Sequence, residues 1–136
     1  MQINFGEVDN NGNCISAGSV SAKRKVDPQT YLNSIANNLI YAPDVPMDEL
    51  INMQWDGNTW VNKPVFNISI PKTFDLGKTF VISEIPIGTQ VLINGELFES
   101  EGDNIEVTCN IDKPVIISIF NAGYTGKQSY MVELNG

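Results

Sequence analysis

From Val65 onward the chain is written in short stretches of alternating apolar and polar residues, and that period restricts what it can fold into. Phe66, Ile68 and Ile70 stand against Asn67 and Ser69, and Phe80 and Ile82 recur around Val81. Ile105, Val107, Cys109 and Ile111 alternate with Glu106, Thr108 and Asn110. A two-residue period puts every second side chain on one face, as a strand does and a helix does not. Val91-Leu92-Ile93 and Leu97-Phe98 flank Asn94-Gly95, the dipeptide that most favours a tight hairpin. Val115, Ile117 and Ile119 follow, and Tyr130, Val132 and Leu134 close the series. Six or seven short strands punctuated by turn residues predict an antiparallel β-sandwich over 65–136.

Residues 1–64 predict a smaller β-rich module. Ile3 and Phe5 alternate with polar neighbours up to the turn cluster 9–13, DNNGN, after which Cys14 and Ile15 resume a strand. A calcium loop is excluded there, because with Gly12 at its sixth position the twelfth is Gly18 rather than a bidentate glutamate. Asp27-Pro28 is a helix start, and Tyr31, Leu32, Ile35 and Leu39 carry a short helix over 28–39, although Asn33, Asn37 and Asn38 suit a helix interior poorly. The two prolines of YAPDVP push residues 41–46 toward extended backbone. Trp55 and Trp60 then bracket Asp-Gly-Asn-Thr in a hairpin, and the boundary between modules is expected at 63–65.

Charge and residue inventory narrow the function classes. A net charge of −8 opposes binding to a phosphate backbone, so nucleic acid is not an expected partner. The one basic cluster, Lys23-Arg24-Lys25, is a solvated loop. No apolar run approaches the ~20 residues of a membrane span. The start, MQINFGEVDNNGN, has neither a basic nor an apolar signal region, so synthesis in the cytoplasm is expected. There is no histidine, which removes the histidine-dependent catalytic triads and His-ligated zinc. GYTGKQS at 123–129 imitates a phosphate loop but has Asn121 and Gln128 where that loop needs glycine and a hydroxyl residue. Glu99, Glu101, Asp103 and Glu106 supply acidic surface rather than a positioned carboxylate pair. Asn67-Ile68-Ser69 is a glycosylation sequon without consequence outside a secretory route. Cys14 and Cys109 read as buried thiols, with a disulfide between them left open by the sequence, and no catalytic residue, cofactor or metal is expected.

The aromatic residues are the remaining candidates. Trp55 and Trp60 serve either as a fastener within the hairpin or, with Tyr124 and Tyr130, as a surface for a protein partner or a host glycan.

LIYAPDVPMDELINMQWDGNTWVNKP, together with the tail from Ile85 to Leu134, resembles small tailed-bacteriophage proteins in which a short N-terminal module precedes an immunoglobulin-like domain. The matching features are the aromatic, Asp-Gly, aromatic, Pro segment, Ile85-Pro86-Ile87-Gly88-Thr89, the hairpin Val91 to Gly95, Asp112-Lys113-Pro114 and Ala122-Gly123-Tyr124. The resemblance covers residues 38–134. It implies a non-enzymatic structural or accessory protein of the virion, made in the host cytoplasm and present in several copies of a symmetric assembly. Its implied partners are tail, fibre or capsid subunits. WDGNTW is similar to segments of small proteins associated with tail fibres, which favours the tail over head decoration or a head fibre. The same segments also suit a tail-fibre assembly chaperone or a carbohydrate-binding module. The chain departs from antibody domains in lacking the Cys…Trp…Cys spacing, so their inter-sheet disulfide is not expected.

Overall fold

The computed structural model describes residues 1–135 and is mainly β, with antiparallel sheets and two short helices. The chain divides between Pro64 and Val65 into two compact units, and the segment Ala122–Thr125 groups with the first.

In the first unit, β1 (Gln2–Val8) and β2 (Cys14–Ser21) form a hairpin, with the register shifting at Glu7/Val8. The connecting loop is organised by Asp9, whose Oδ1 accepts hydrogen bonds from the backbone N–H of Asn11 and of Asn13, both at 2.9 Å. Its carboxylate is thus committed to the loop's own amides, the usual role of aspartate in a tight turn. A helix, α1 (Pro28–Ile35), leads to β3 (Leu39–Tyr41), which pairs with β1 so that the sheet runs β2-β1-β3. Asp27 caps α1 by accepting from the Thr30 N–H at 2.9 Å, and Pro28 occupies its first turn.

The helix is shorter than the expected 28–39. Ala36 is already extended (φ −158°, ψ 155°), Asn37 and Asn38 turn, and Leu39 belongs to β3. The physical reason is that Leu39 reaches the core from a strand. Gln29 joins the two elements, donating from Nε2 to the Leu39 carbonyl at 2.8 Å and accepting from the Tyr41 N–H at 2.9 Å. It thereby supplies backbone partners that an adjacent strand would otherwise provide. Ile3, Ala22, Leu32 and Leu39 form the core on this side, with Phe5, Val20 and Tyr31 packed around them. A second helix, α2 (Met47–Leu50), and the hairpin β4 (Met53–Trp55) and β5 (Trp60–Asn62) complete the unit.

Among the described residues the second unit has two sheets. One pairs β7 (Thr79–Ile82) with β10 (Ile105–Thr108). The other contains β6 (Thr73–Phe74), β8 (Gln90–Ile93), β9 (Glu96–Glu99), β11 (Val115–Phe120) and β12 (Ser129–Leu134), in the order β6-β12-β11-β8-β9. All neighbours are antiparallel except β6 and β12. The expected strand through Phe66, Ile68 and Ile70 is reduced to isolated pairing, with Ser69 bridging Ser83. Phe66 is nonetheless buried, so the alternation there reports burial rather than a continuous ladder.

Asn94 and Gly95 form the β8–β9 turn with φ of 47° and 87°, the left-handed pair that a two-residue hairpin requires. Phe80, Ile82 and Val107 of the smaller sheet and Phe74, Val91, Ile93, Val115, Ile117, Ile119 and Val132 of the larger one are buried. The Phe74 and Phe80 ring centroids lie 5.9 Å apart, so side chains from the two sheets meet in one core. Cys109 is buried and unpaired.

Candidate functional site

The tryptophan hairpin is built by a local device. Asp56 Oδ1 accepts from the N–H groups of Asn58 and Thr59, both at 2.8 Å, and the Asp56 N–H donates to the Thr59 carbonyl. Those amide hydrogen bonds, Thr59 first, hold the Asp56 carboxyl below the usual aspartate range. The turn sets Trp55 directly opposite Trp60, with ring centroids 5.5 Å apart in an edge-to-face arrangement at 60°. This is a preferred geometry for paired aromatic quadrupoles.

Trp60 is engaged beyond its partner. It packs against the buried cluster of Cys14, Ala42 and Leu50, and its Nε1–H donates to the Tyr41 carbonyl at 3.2 Å. Its ring covers Gly6 of β1 so closely that a Cβ there would lie 2.5 Å from Cη2. Trp55 is tied through its backbone, its N–H donating to the Gly12 carbonyl at 2.7 Å while Gln54 bridges Asn13. Gly12 has a φ of 83°, and a Cβ on it would fall 2.2 Å from the Trp55 carbonyl oxygen. The 9–13 loop therefore clamps β4.

Lys63, which the sequence offered only as part of a boundary, is 6% exposed. Its Nζ donates to the carbonyls of Cys14 at 2.9 Å and Ile51 at 2.8 Å, joining β2 to the end of α2. Burial pushes the ammonium below the ordinary lysine range, as expected for a cation taken out of water. Burial likewise raises the neighbouring Cys14 thiol, which stays protonated near neutrality. No local sequence pattern distinguishes such a lysine from a solvated one.

Of the four aromatic candidates, the structure brings Trp55 and Trp60 together. Tyr124 is half-buried in the segment that groups with the first unit, whose Thr125 N–H donates to the Pro64 carbonyl at 2.9 Å. Tyr130 lies in β12 of the second unit, with the Lys127 ammonium 4.8 Å from its ring centroid and its hydroxyl donating to the Lys127 carbonyl. Among the described residues, no group of three or more Cys, Asp or Glu is placed to hold a metal ion.

The feature that sequence reasoning missed is the outer face of the five-stranded sheet. On β8, β9, β11 and β12 the residues opposite the core include Leu92, Leu97, Ile116, Phe120 and Met131. Leu92 stands opposite Leu97 and Ile116 opposite Met131, while the β8–β11 pairing sets Ser118 opposite Leu92 and Gln90 opposite Phe120. Leu97 is 61% exposed and Phe120 57%. A sheet with one solvated face ordinarily alternates to polar residues there. The signal was present in Val91-Leu92-Ile93 and Val115-Ile116-Ile117, where both parities are apolar, a composition suited to strands covered on both sides. Comparison of the chain with protein-family models, with curated proteins and with solved structures finds no match in any of the three.

Proposed function

We propose that this chain is a non-enzymatic docking protein of a tailed-phage particle, associated with the tail, whose second unit is an immunoglobulin-like domain that contacts a neighbouring subunit. The observation that carries the docking role is the apolar outer face around Leu92, Leu97, Ile116, Phe120 and Met131. Exposed apolar side chains gathered on one face of a sheet are costly in water and are characteristic of surfaces that become covered. Pairing of β7 with β10 and the order β12-β11-β8 in the facing sheet support the immunoglobulin-like reading, since they match the B–E and C–F–G pairings of that sandwich. The phage context rests on the sequence resemblance.

The test is mass spectrometry of purified virions from the source phage, with copy number calibrated against the major capsid and tail proteins. A copy number commensurate with the tail's symmetry supports the proposal. Capsid-like abundance would move the chain to the head, and absence from the particle would overturn the virion role. In the same preparations, Leu92→Ser with Phe120→Ser should fail to incorporate while retaining a wild-type circular dichroism spectrum.

A further inference from the structure

The two sheets of the second unit are unequal, and the inequality leaves a groove. Register places Phe98 and Glu96 of β9 on the same face as the core residues Val91 and Ile93 of β8. That face is the inner one, yet Phe98 is 37% exposed and Glu96 is exposed as well. The facing sheet ends at β10, which has β7 on one side and, among the described residues, no strand on the other. The inner face of β9 is therefore not covered in the way the inner face of β8 is. Between β9 and β10 lies a cavity of about 400 Å³ whose apolar walls include Ile93, Phe98, Ile105, Val107 and Val115.

We infer that this groove accepts an extended segment of a partner protein, which adds as a strand to the free edge of β10 and seats apolar side chains at alternate positions in the cavity. The outward backbone groups along Ile105–Thr108 form a free edge, and extended backbone supplies the complementary row of donors and acceptors that pairs with it. The period of β10 dictates the side chains. Ile105 and Val107 share one face of β10 and are half-buried and buried, whereas Glu106 is exposed at the rim of the cavity, so residues of the occupant next to Ile105 and Val107 are apolar and the one next to Glu106 is polar. Charge sets its sign. Glu96 and Glu106 line the groove, and among the described residues no lysine or arginine does. The occupant is accordingly an apolar strand with a lysine or arginine beside Glu106. This deepens the docking proposal by naming the partner's chemistry, at a surface distinct from the outer face of the larger sheet.

The experiment is an NMR titration of the full, isotope-labelled chain with a synthetic peptide of about six residues, alternating isoleucine with threonine and carrying one central lysine. Shift changes should concentrate on Glu96–Glu99 and Ile105–Thr108, and amides on the free edge of β10 should exchange at least about tenfold more slowly with peptide bound. Glu106→Lys, an exposed substitution, should weaken that peptide about threefold to tenfold and favour the same peptide with glutamate at its centre. Leu92→Ser, on the outer face, should leave binding unchanged. No shifts at saturating peptide, or shifts confined to the outer face, would overturn the inference. Self-association through β10, detected by sedimentation and blocked by Glu106→Lys, would replace the partner by a second copy and overturn it too. The titration uses the isolated chain, so absence from virions would defeat the phage role without touching the groove. Incorporation into virions with no peptide binding would do the reverse.

Discussion

Replacing Trp60 by alanine separates the fastener reading of the tryptophan hairpin from the ligand-surface reading. Truncating a fully buried aromatic costs about 3–5 kcal/mol. Trp60 is half-buried, but it contributes contacts with Cys14, Ala42 and Leu50, an edge-to-face pair with Trp55 and a hydrogen bond to the Tyr41 carbonyl. The aromatic pair accounts for about 0.5–1.5 kcal/mol and the hydrogen bond for about 1 kcal/mol, so a loss of about 3 kcal/mol is expected. Both tryptophans lie in the first unit, so fluorescence during urea denaturation follows that unit, with Trp55 remaining as the probe in the variant. Gly6→Ala supplies the cross-check. Its new methyl would stand 2.5 Å from Trp60 Cη2 and 3.1 Å from Cys14 Sγ, an overpacking that costs about 1–3 kcal/mol. With Trp60 already truncated, the main obstacle is gone and the same change should cost less than about 1 kcal/mol, a coupling that neighbours in contact show and independent sites do not. An unchanged midpoint for Trp60→Ala, or equal costs for Gly6→Ala in both backgrounds, would refute the placement of the indole over β1.

The 9–13 clamp and the buried lysine yield two further expectations. Gly12→Ala combines a left-handed backbone with a methyl 2.2 Å from the Trp55 carbonyl, so it should destabilise the first unit by more than about 2 kcal/mol in the same urea assay; a loss below about 1 kcal/mol would mean that the loop does not grip β4. For Lys63, the folded pKa lies below its ordinary value of 10.5, so between the two the unfolded chain holds more protons and stability rises with pH. Cys14 acts oppositely, since its raised pKa means that the unfolded thiol ionises first above pH 9.0 and stability falls. The stability difference between wild type and Lys63→Met isolates the lysine, and it should shift in favour of wild type from neutral pH toward pH 10.5. A difference independent of pH would show that Lys63 is solvated.

Much of the local structure was legible because its causes are local. The Asp27-Pro28 cap, the Asn94-Gly95 turn and the opposition of Trp55 to Trp60 each depend on a few adjacent residues, and each is present. The helix end differs from expectation because Leu39 continues the apolar spacing of α1 while answering to a pairing with Glu7 of β1, far away in sequence. The 66–70 alternation is genuine, yet it forms no named strand, and Ser69 pairs with Ser83 through an isolated bridge. Lys63 was invisible for a related reason, because its two carbonyl partners come from residues 14 and 51.

The residue pattern alone thus established that the chain is mainly β, where its turns fall and which face of a cleanly alternating strand such as Ile105–Thr108 is apolar, since a two-residue period and left-handed turn residues act within one strand or hairpin. How many strands each sheet contains, and which lie at its edges, emerged in three dimensions. Those are outcomes of long-range pairing, and they leave Leu92, Ile116 and Phe120 without a covering layer and open the groove between Phe98 and Val107. A strand's pattern records which side chains avoid water, whereas the neighbour that shields them is supplied by a distant segment or by another molecule.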